Sequence, residues 1–359
     1  MALQVDNSFL DALSSRLIEV NSFNKTTIFA VSTTAKKENS AYLTPIRVNE
    51  NFVLAGCIIF DQKNLHSLLE KLDGEVDILL ADSENPLPKR ITKFNEKPDK
   101  KIDRTEDKTV SKICFKCIKE SKIFEFKPND ITVNAAWSFL SQRLNYLSGS
   151  RVCILGAGNI GSKLALKLAE CGAEVRVSRR NFQKGDHIVK GLNLIKPECS
   201  TPKICFYSDA LEASLGVDVL IGTSSGSQII DEDIVKRLDR ECLIVDLGKN
   251  NLTENAIQTA TENSMDIYRT DVTPAIESFV HELLKTNDIL EYSCGVRELG
   301  FCRIVSGGFF GRKDDIVVDA IDNPKFVYGI TQGNGLLKIV LSEEDECNIR
   351  RLKDALDID

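Results

Sequence analysis

Three glycines, Gly156, Gly158 and Gly161, stand at G-x-G-x-x-G spacing in VCILGAGNIGSKLALKLAECGAEVRVSRR, which begins at Val152. An apolar run precedes them, a helical pattern follows, and a second apolar run closes a strand–helix–strand unit. In that context each glycine has a physical task. Gly156 allows a tight turn, Gly158 lets the backbone approach a pyrophosphate, and Gly161 lets the helix pack against the sheet. The helix that opens at Asn159 and Ile160 aims unpaired N–H groups and the positive end of its dipole at the phosphates. The chemistry this arrangement suits is dinucleotide binding.

The end of the second apolar run bears on which dinucleotide. Sites for NAD place Asp or Glu there to accept hydrogen bonds from the ribose hydroxyls. This chain has Ser178, Arg179 and Arg180, with no acid between Val175 and Gln183. A guanidinium pairs well with a 2′-phosphate, a serine hydroxyl can donate to it, and an acid would repel it. The expected cofactor is NADP, with NAD the lesser alternative. Two further stretches end apolar runs: Gly222, Thr223, Ser224 and Ser225 in DVLIGTSSG, and Asp246, Gly248, Lys249 and Asn250 in VDLGKN. Small polar residues at such strand ends can line the nicotinamide half of a cofactor, or serve only as loop residues. Thr273 before Pro274 has the form of a helix N-cap.

Hydride chemistry also needs a proton donor or acceptor, and here the residues are less informative. The chain has three histidines. His66 falls on a helical pattern, His187 lies beyond the nucleotide-binding strand, and His281 sits mid-helix as a partly buried structural residue. Among lysines, Lys36, Lys37 and Lys89 are first-domain candidates, and Lys249 is better placed by strand order. No catalytic residue is assigned.

These residues need elements to hold them. Up to about Pro128 the sequence alternates strand-like runs (TTIFAVST, FVLAGCIIF, EVDILLAD) with the helical LHSLLEKL, and Leu10, Leu13 and Leu17 mark an opening helix. The stretch from Pro86 to Lys112 is dense in both signs of charge and reads as a solvated loop. NDITVNAAWSFLSQRLN is a helix leading into the strand at Val152. Six strands alternating with helices then follow (RVCIL, EVRVS, ICFYS, DVLIG, CLIVD, MDIYR), the signature of a doubly wound parallel sheet. AIESFVHELLKTNDIL is a further helix. After Tyr292 come short strands (FCRIVS, DIVVDAI, KFVYGI, LLKIVL) and the closing helix EDECNIRRLKDAL. The expected division is an N-terminal α/β substrate domain over 1–128, a dinucleotide-binding domain over 129–290, and a small β-rich appendage over 291–359.

With 359 residues the chain exceeds what one core usually supports, and the net charge of -7 argues against a polyanion binder. No apolar run is long enough to cross a bilayer, and the acids of MALQVDNSFLDALSSRL are not those of a signal peptide. The 11 cysteines are odd in number and scattered, several inside apolar runs, as expected of reduced thiols in the cytoplasm. The Cys114–Cys117 pair is a lone C-x-x-C, and no metal site is expected.

From about Thr132 to Thr270 the sequence resembles the second half of a group of two-domain enzymes. These are the methylenetetrahydrofolate dehydrogenases, shikimate dehydrogenases, glutamyl-tRNA reductases and S-adenosylhomocysteine hydrolases. The resemblance is carried by the glycine-loop unit together with GTSSGSQIIDEDIVKRLDRECLIVDLG. It implies a Rossmann domain preceded by a substrate domain, a cleft between the two, and frequent homodimerisation. The tyrosine–lysine pattern of the folate enzymes and the Asn-Val-Thr-x-Pro-x-Lys pattern of the shikimate enzymes are absent. The expectation is an NADP-dependent dehydrogenase or reductase acting on a small, carboxylated metabolite. A non-catalytic NAD(P) sensor or scaffold, or an enzyme that uses a tightly bound dinucleotide transiently, are the alternatives.

Overall fold

The computed structural model describes residues 7–34, 41–87, 108–198, 201–224 and 227–358. Lys36, Lys37, Lys89 and Ser225 lie outside them, as does most of the charged stretch after Pro86. The chain divides into two compact units, Met1–Ala275 and Ile276–Asp359.

The first unit opens with α1 (Asn7–Asn21), whose Leu13 and Leu17 are buried as their helical spacing predicts. Next come β1 (Thr26–Ser32), β2 (Tyr42–Leu43), β3 (Arg47–Val48), β4 (Phe52–Ile58), α2 (Gln62–Leu72) and β5 (Ile78–Asp82). The layer closes with β6 (Pro86–Leu87), β7 (Lys108–Thr109), α3 (Val110–Cys117) and β8 (Lys122–Phe126). β4, β1, β5 and β8 pair in parallel in that order, with β2 and β3 antiparallel on β4. β1, β4 and β5 are almost wholly buried, which accounts for their near-continuous apolar sequences. α2 starts where Asp61 accepts from the Asn64 amide at 2.8 Å, an N-cap that satisfies one orphaned donor. Its leucines Leu65, Leu68, Leu69 and Leu72 seal the core against Phe29 and Leu79.

α4 (Pro128–Arg143) then leads into β9 (Arg151–Leu155), α5 (Asn159–Glu170), β10 (Glu174–Ser178), α6 (Phe182–Ile195) and β11 (Cys205–Tyr207). α7 (Ala210–Ala213), β12 (Val219–Gly222), α8 (Glu232–Val235), β13 (Leu243–Asp246), α9 (Glu254–Glu262) and β14 (Ile267–Arg269) complete the layer. The strand order is β11-β10-β9-β12-β13-β14, all parallel. This is the Rossmann order, with the direction of winding reversing between β9 and β12. One face packs on α4, α5 and α6 through residues such as Leu140, Leu164, Leu168 and Val189, the other on α7, α8 and α9 through Ile234 and Ala256.

α10 (Thr273–Tyr292) begins in the first unit and continues into the second. There β15 (Gly295–Glu298), β16 (Arg303–Ser306), β17 (Ile316–Val318) and β18 (Val327–Ile330) form one sheet in sequence order, followed by α11 (Glu343–Leu356). Ile304, Ile316, Val318, Ile330 and Leu352 make its core. One expectation fails here, and one strand went unread. LLKIVL is not a strand: it makes a single bridge at Leu337, and Ile339 and Val340 are exposed. Its apolar run is interrupted by Lys338, which is drawn to Asp314 and Asp345. Gly295–Glu298 is a strand instead, paired with β16, and its exposed alternate residues hid it.

Among the described residues ten cysteines are free, with Cys57, Cys114, Cys153 and Cys242 buried. No described helix is long and apolar enough to cross a membrane.

Candidate dinucleotide site

The chain turns from β9 into α5 with Gly156 at φ +114°, a conformation glycine adopts without strain. A Cβ at Gly156 would also lie 2.8 Å from Thr223 Oγ1, and one at Gly161 would lie 2.0 Å from the Gly156 carbonyl oxygen. Both glycines are therefore required for the loop to close. Gly158 is different. Nothing stands within 4 Å of where its Cβ would be, so its missing side chain leaves open space above the loop. Gly158 is also the N-cap of α5 and gives it no side-chain hydrogen bond, so the first amides of the helix keep their donors for a ligand. This cradle fits a pyrophosphate.

Ser178 ends β10, is buried, and its carbonyl accepts from the Gly156 amide at 2.9 Å. Arg179 is half-buried and folds back so that its Nη1 donates to the Ala157 carbonyl. Arg180 is exposed. The two arginines are thus not equivalent: one braces the glycine loop, the other is exposed just beyond the end of β10.

The strand ends across the switch point are knitted together more tightly than their sequence suggests. Thr223 is buried, and its hydroxyl donates to the Leu155 and Gly156 carbonyls, so it lies beneath the loop. Asn251, which sequence reasoning missed, is wholly buried. Its Oδ1 accepts from the Ser224 amide at 2.7 Å and its Nδ2 donates to the Ser224 carbonyl at 2.8 Å. Gly222 and Gly248 make room for it, since a Cβ on either would come within 2.6 Å of its atoms. Asp246, buried at the end of β13, accepts from the Asn250 amide at 2.9 Å and lies 3.4 Å from the Arg269 guanidinium. Lys249 and Asn250 hold left-handed backbone at φ +56° and +68°, uncommon for non-glycine residues, and Lys249 is exposed.

The first sheet contributes its own strand ends. Its winding reverses between β1 and β5, and there Ser32 Oγ donates to Asp82 Oδ2 at 2.8 Å. Asp82 is fully buried and also accepts from the Thr33 and Glu84 amides. Glu84 reaches the Rossmann layer: it accepts from the Asn129 amide at 2.7 Å and pairs with Lys163 of α5 at 3.4 Å. Lys163 also pairs with Asp130, and its pKa is raised by these carboxylates against the opposing pull of burial. A second contact joins Arg47 of β3 to Thr273 Oγ1, Nε donating at 3.0 Å. Thr273 is therefore the first residue of α10 rather than its cap. The carboxylate of Asp271 takes the Thr273 amide at 2.9 Å, and that bond with the nearby Arg47 holds its pKa down.

His66, His187 and His281 are all exposed; for His281 this replaces the partly buried position expected of it. A cavity of about 600 Å³ opens at the opposite, amino-terminal edge of the Rossmann strands, lined by Arg143, Arg151, Asp218, Glu241 and Asp266 among others. Arg143 pairs with Asp266 and Arg151 with Asp218, so its charges largely neutralise one another. Carboxyl-end chemistry does not belong there.

This loop, switch point and helix terminus fall in one stretch of sequence that known proteins share. Residues 138–271 match the Shikimate / quinate 5-dehydrogenase family. The match covers the Rossmann layer from α4 to the end of β14. A curated relative, the "probable multifunctional siroheme biosynthesis protein HemA" of Ruminiclostridium josui, is 27% identical over 177 residues, 48% of this chain and 32% of the relative. The chain thus spans about a third of the length of that relative. Among solved structures, L-tryptophan dehydrogenase from Nostoc punctiforme aligns with a TM-score of 0.37 at 14% identity, covering 67% of this chain and 69% of that one. Glutamyl-tRNA reductase from Methanopyrus kandleri aligns with a TM-score of 0.34 at 17% identity, covering 45% and 41%. The matched stretch is thus similar to the Rossmann layer of a dehydrogenase family.

Proposed function

We propose that this chain is an NADP-dependent dehydrogenase or reductase whose small, carboxylated substrate lies between the first sheet and the Rossmann sheet. The observation that carries this reading is the Glu84 contact. Parallel sheets bind ligands beyond the carboxyl ends of their strands, where the winding reverses. Here Ser32 and Asp82 mark that place in the first sheet, and two residues later Glu84 meets Lys163 and Asn129, beside the glycine loop. Two such edges brought together make a cleft with a dinucleotide cradle on one wall. On this reading residues 1–128 form the substrate domain and 129–290 the cofactor domain.

When bound, the dinucleotide supplies or accepts a hydride; the chain's own residues bind and orient. The amides at the start of α5 hold the pyrophosphate, Arg180 takes the 2′-phosphate, and Arg179 keeps the loop in shape. Lys249 stands exposed at the end of β13, and Arg47 at the start of α10. Either cation suits a substrate carboxylate. Thr270 Oγ1, buried without a hydrogen-bond partner at the end of β14, supports a polar ligand or ordered water there.

The test is direct. Calorimetry with NADP, NADPH, NAD and NADH should show tighter binding of the phosphorylated pair. A screen of small carboxylic acids, their keto and hydroxy or amino forms included, should then show a change in the absorbance of the reduced nicotinamide. Binding without turnover of any candidate would favour a sensor, and no binding of either cofactor would end the proposal.

A further inference from the structure

We infer that Asn251 is the positioning residue for the nicotinamide half of the cofactor site, acting through the backbone of Ser224. The inference rests on the dinucleotide reading above. The ladder between β12 and β13 stops after Gly222 and Asp246, and pairing resumes beyond it as a single bridge between Ile230 and Leu252. Between the two, Asn251 replaces that ladder. Its carboxamide faces Ser224 as a second backbone would, accepting at 2.7 Å and donating at 2.8 Å. Its own carbonyl accepts from the amides of Ile229 and Ile230 at 2.8 and 2.9 Å. One buried residue thus holds both ends of the segment that follows β12 at the switch point.

The surroundings are shaped to this side chain. A Cβ on Gly222 would sit 2.6 Å from Asn251 Cβ, and one on Gly248 would sit 2.5 Å from Nδ2 and 2.1 Å from the Ser224 carbonyl oxygen. These two glycines therefore serve the asparagine, and the ligand-facing surface is the backbone it sets. A carboxamide donates and accepts in one plane, at a spacing that matches the amide and carbonyl of one backbone residue. Asp can accept but would set a carboxylate against the Ser224 carbonyl; Leu can do neither. None of the hydrogen bonds of Asn251 goes to the glycine loop or to Arg180, where the adenosine half of the site would lie. The two halves can therefore be separated experimentally.

The experiment measures two ligands on each protein: NADPH, and 2′,5′-ADP, which carries the adenosine half alone. Asn251→Asp removes the donor, and Gly248→Ala crowds the carboxamide from the other side. Both variants are expected to keep the affinity of the unmodified chain for 2′,5′-ADP. Both should bind NADPH about tenfold more weakly, the weight of one to two hydrogen bonds, and the emission of the bound nicotinamide should change. If NADPH affinity and emission stay as in the unmodified chain, Asn251 does not position the nicotinamide. If both ligands weaken by the same factor, it only holds the domain together. If the unmodified chain binds neither ligand, the dinucleotide reading itself falls, a result distinct from either.

Discussion

Of the three loop glycines, Gly158 is the one whose missing side chain faces empty space. Gly158→Val is therefore expected to fold, with a melting temperature close to that of the unmodified chain, and to lose dinucleotide binding because the branched side chain fills the phosphate's place. Unchanged affinity in the folded variant would remove the loop from the site. The arginines separate in the same way. Arg180→Ala should weaken NADP about ten- to a hundredfold, since a hydrogen bond to a charged group is worth roughly 1.5–3 kcal/mol, and leave NAD unchanged. Arg179→Ala, which frees the Ala157 carbonyl, should weaken both cofactors alike. Equal effects on NAD and NADP from Arg180→Ala would make that residue a bystander. The glycine loop was legible because its spacing alone carries meaning. Asn251 was not: its partner Ser224 lies 27 residues away and is bonded through main-chain atoms, which leave no mark on side-chain type.

At the scale of elements, legibility followed burial. β1, β4, β5 and the central Rossmann strands β9, β12 and β13 are apolar because both faces are covered, and their sequences announce them. β8 has burial on fewer positions, with charged Lys122 and Glu125 exposed, and it went unread, as did the two-residue β2 and β3. The start of the Rossmann sheet also rests on a polar fastening. Asp218 accepts from the Arg151 amide at 2.7 Å and from its Nη2 at 2.6 Å, tying β9 to β12. The Arg151 guanidinium bond, joined by the backbone amide, holds the Asp218 pKa below its ordinary 3.8. A depressed folded-state pKa means the unfolded chain binds the proton more readily, so this stabilisation is present above that ordinary value and is lost as pH falls through the lower folded one. Asp218→Asn should therefore lower stability in urea melts at pH 7, with the difference from the unmodified chain shrinking as the medium is acidified below 3.8. A difference that persists unchanged into that acid range would assign the effect to something other than this charge.

At the scale of the whole molecule, the units Met1–Ala275 and Ile276–Asp359 have separate cores. Chains built this way need not unfold in one step. Scanning calorimetry should resolve more than one transition, and NADP should raise the melting temperature of the unit that contains the glycine loop. A single sharp transition, shifted as a whole by the cofactor, would mean that the units unfold as one. The doubly wound layer was readable as a whole because strand and helix alternate so regularly. The pairing of the first sheet was not, since its β1–β5 neighbourhood depends on where the intervening strands β2–β4 go.

The cysteines give this architecture a chemical readout. Alkylating reagents attack the thiolate, and burial pushes the thiols of Cys114, Cys153 and Cys242 up to about 12. Near pH 8 such a thiol is ionised to about one part in ten thousand, and the reagent cannot reach it in the folded state. Cys205 and Cys347 are exposed, one in each unit. A maleimide pulse should therefore tag these two at once, and Cys114, Cys153 and Cys242, like the buried Cys57, only as the first unit opens. Cys114 reports on the layer of the first sheet, Cys153 and Cys242 on the Rossmann layer. Counted by mass under partial denaturation, the tags would give the order in which the layers come apart, and would show whether a bound dinucleotide protects one of them more than the other.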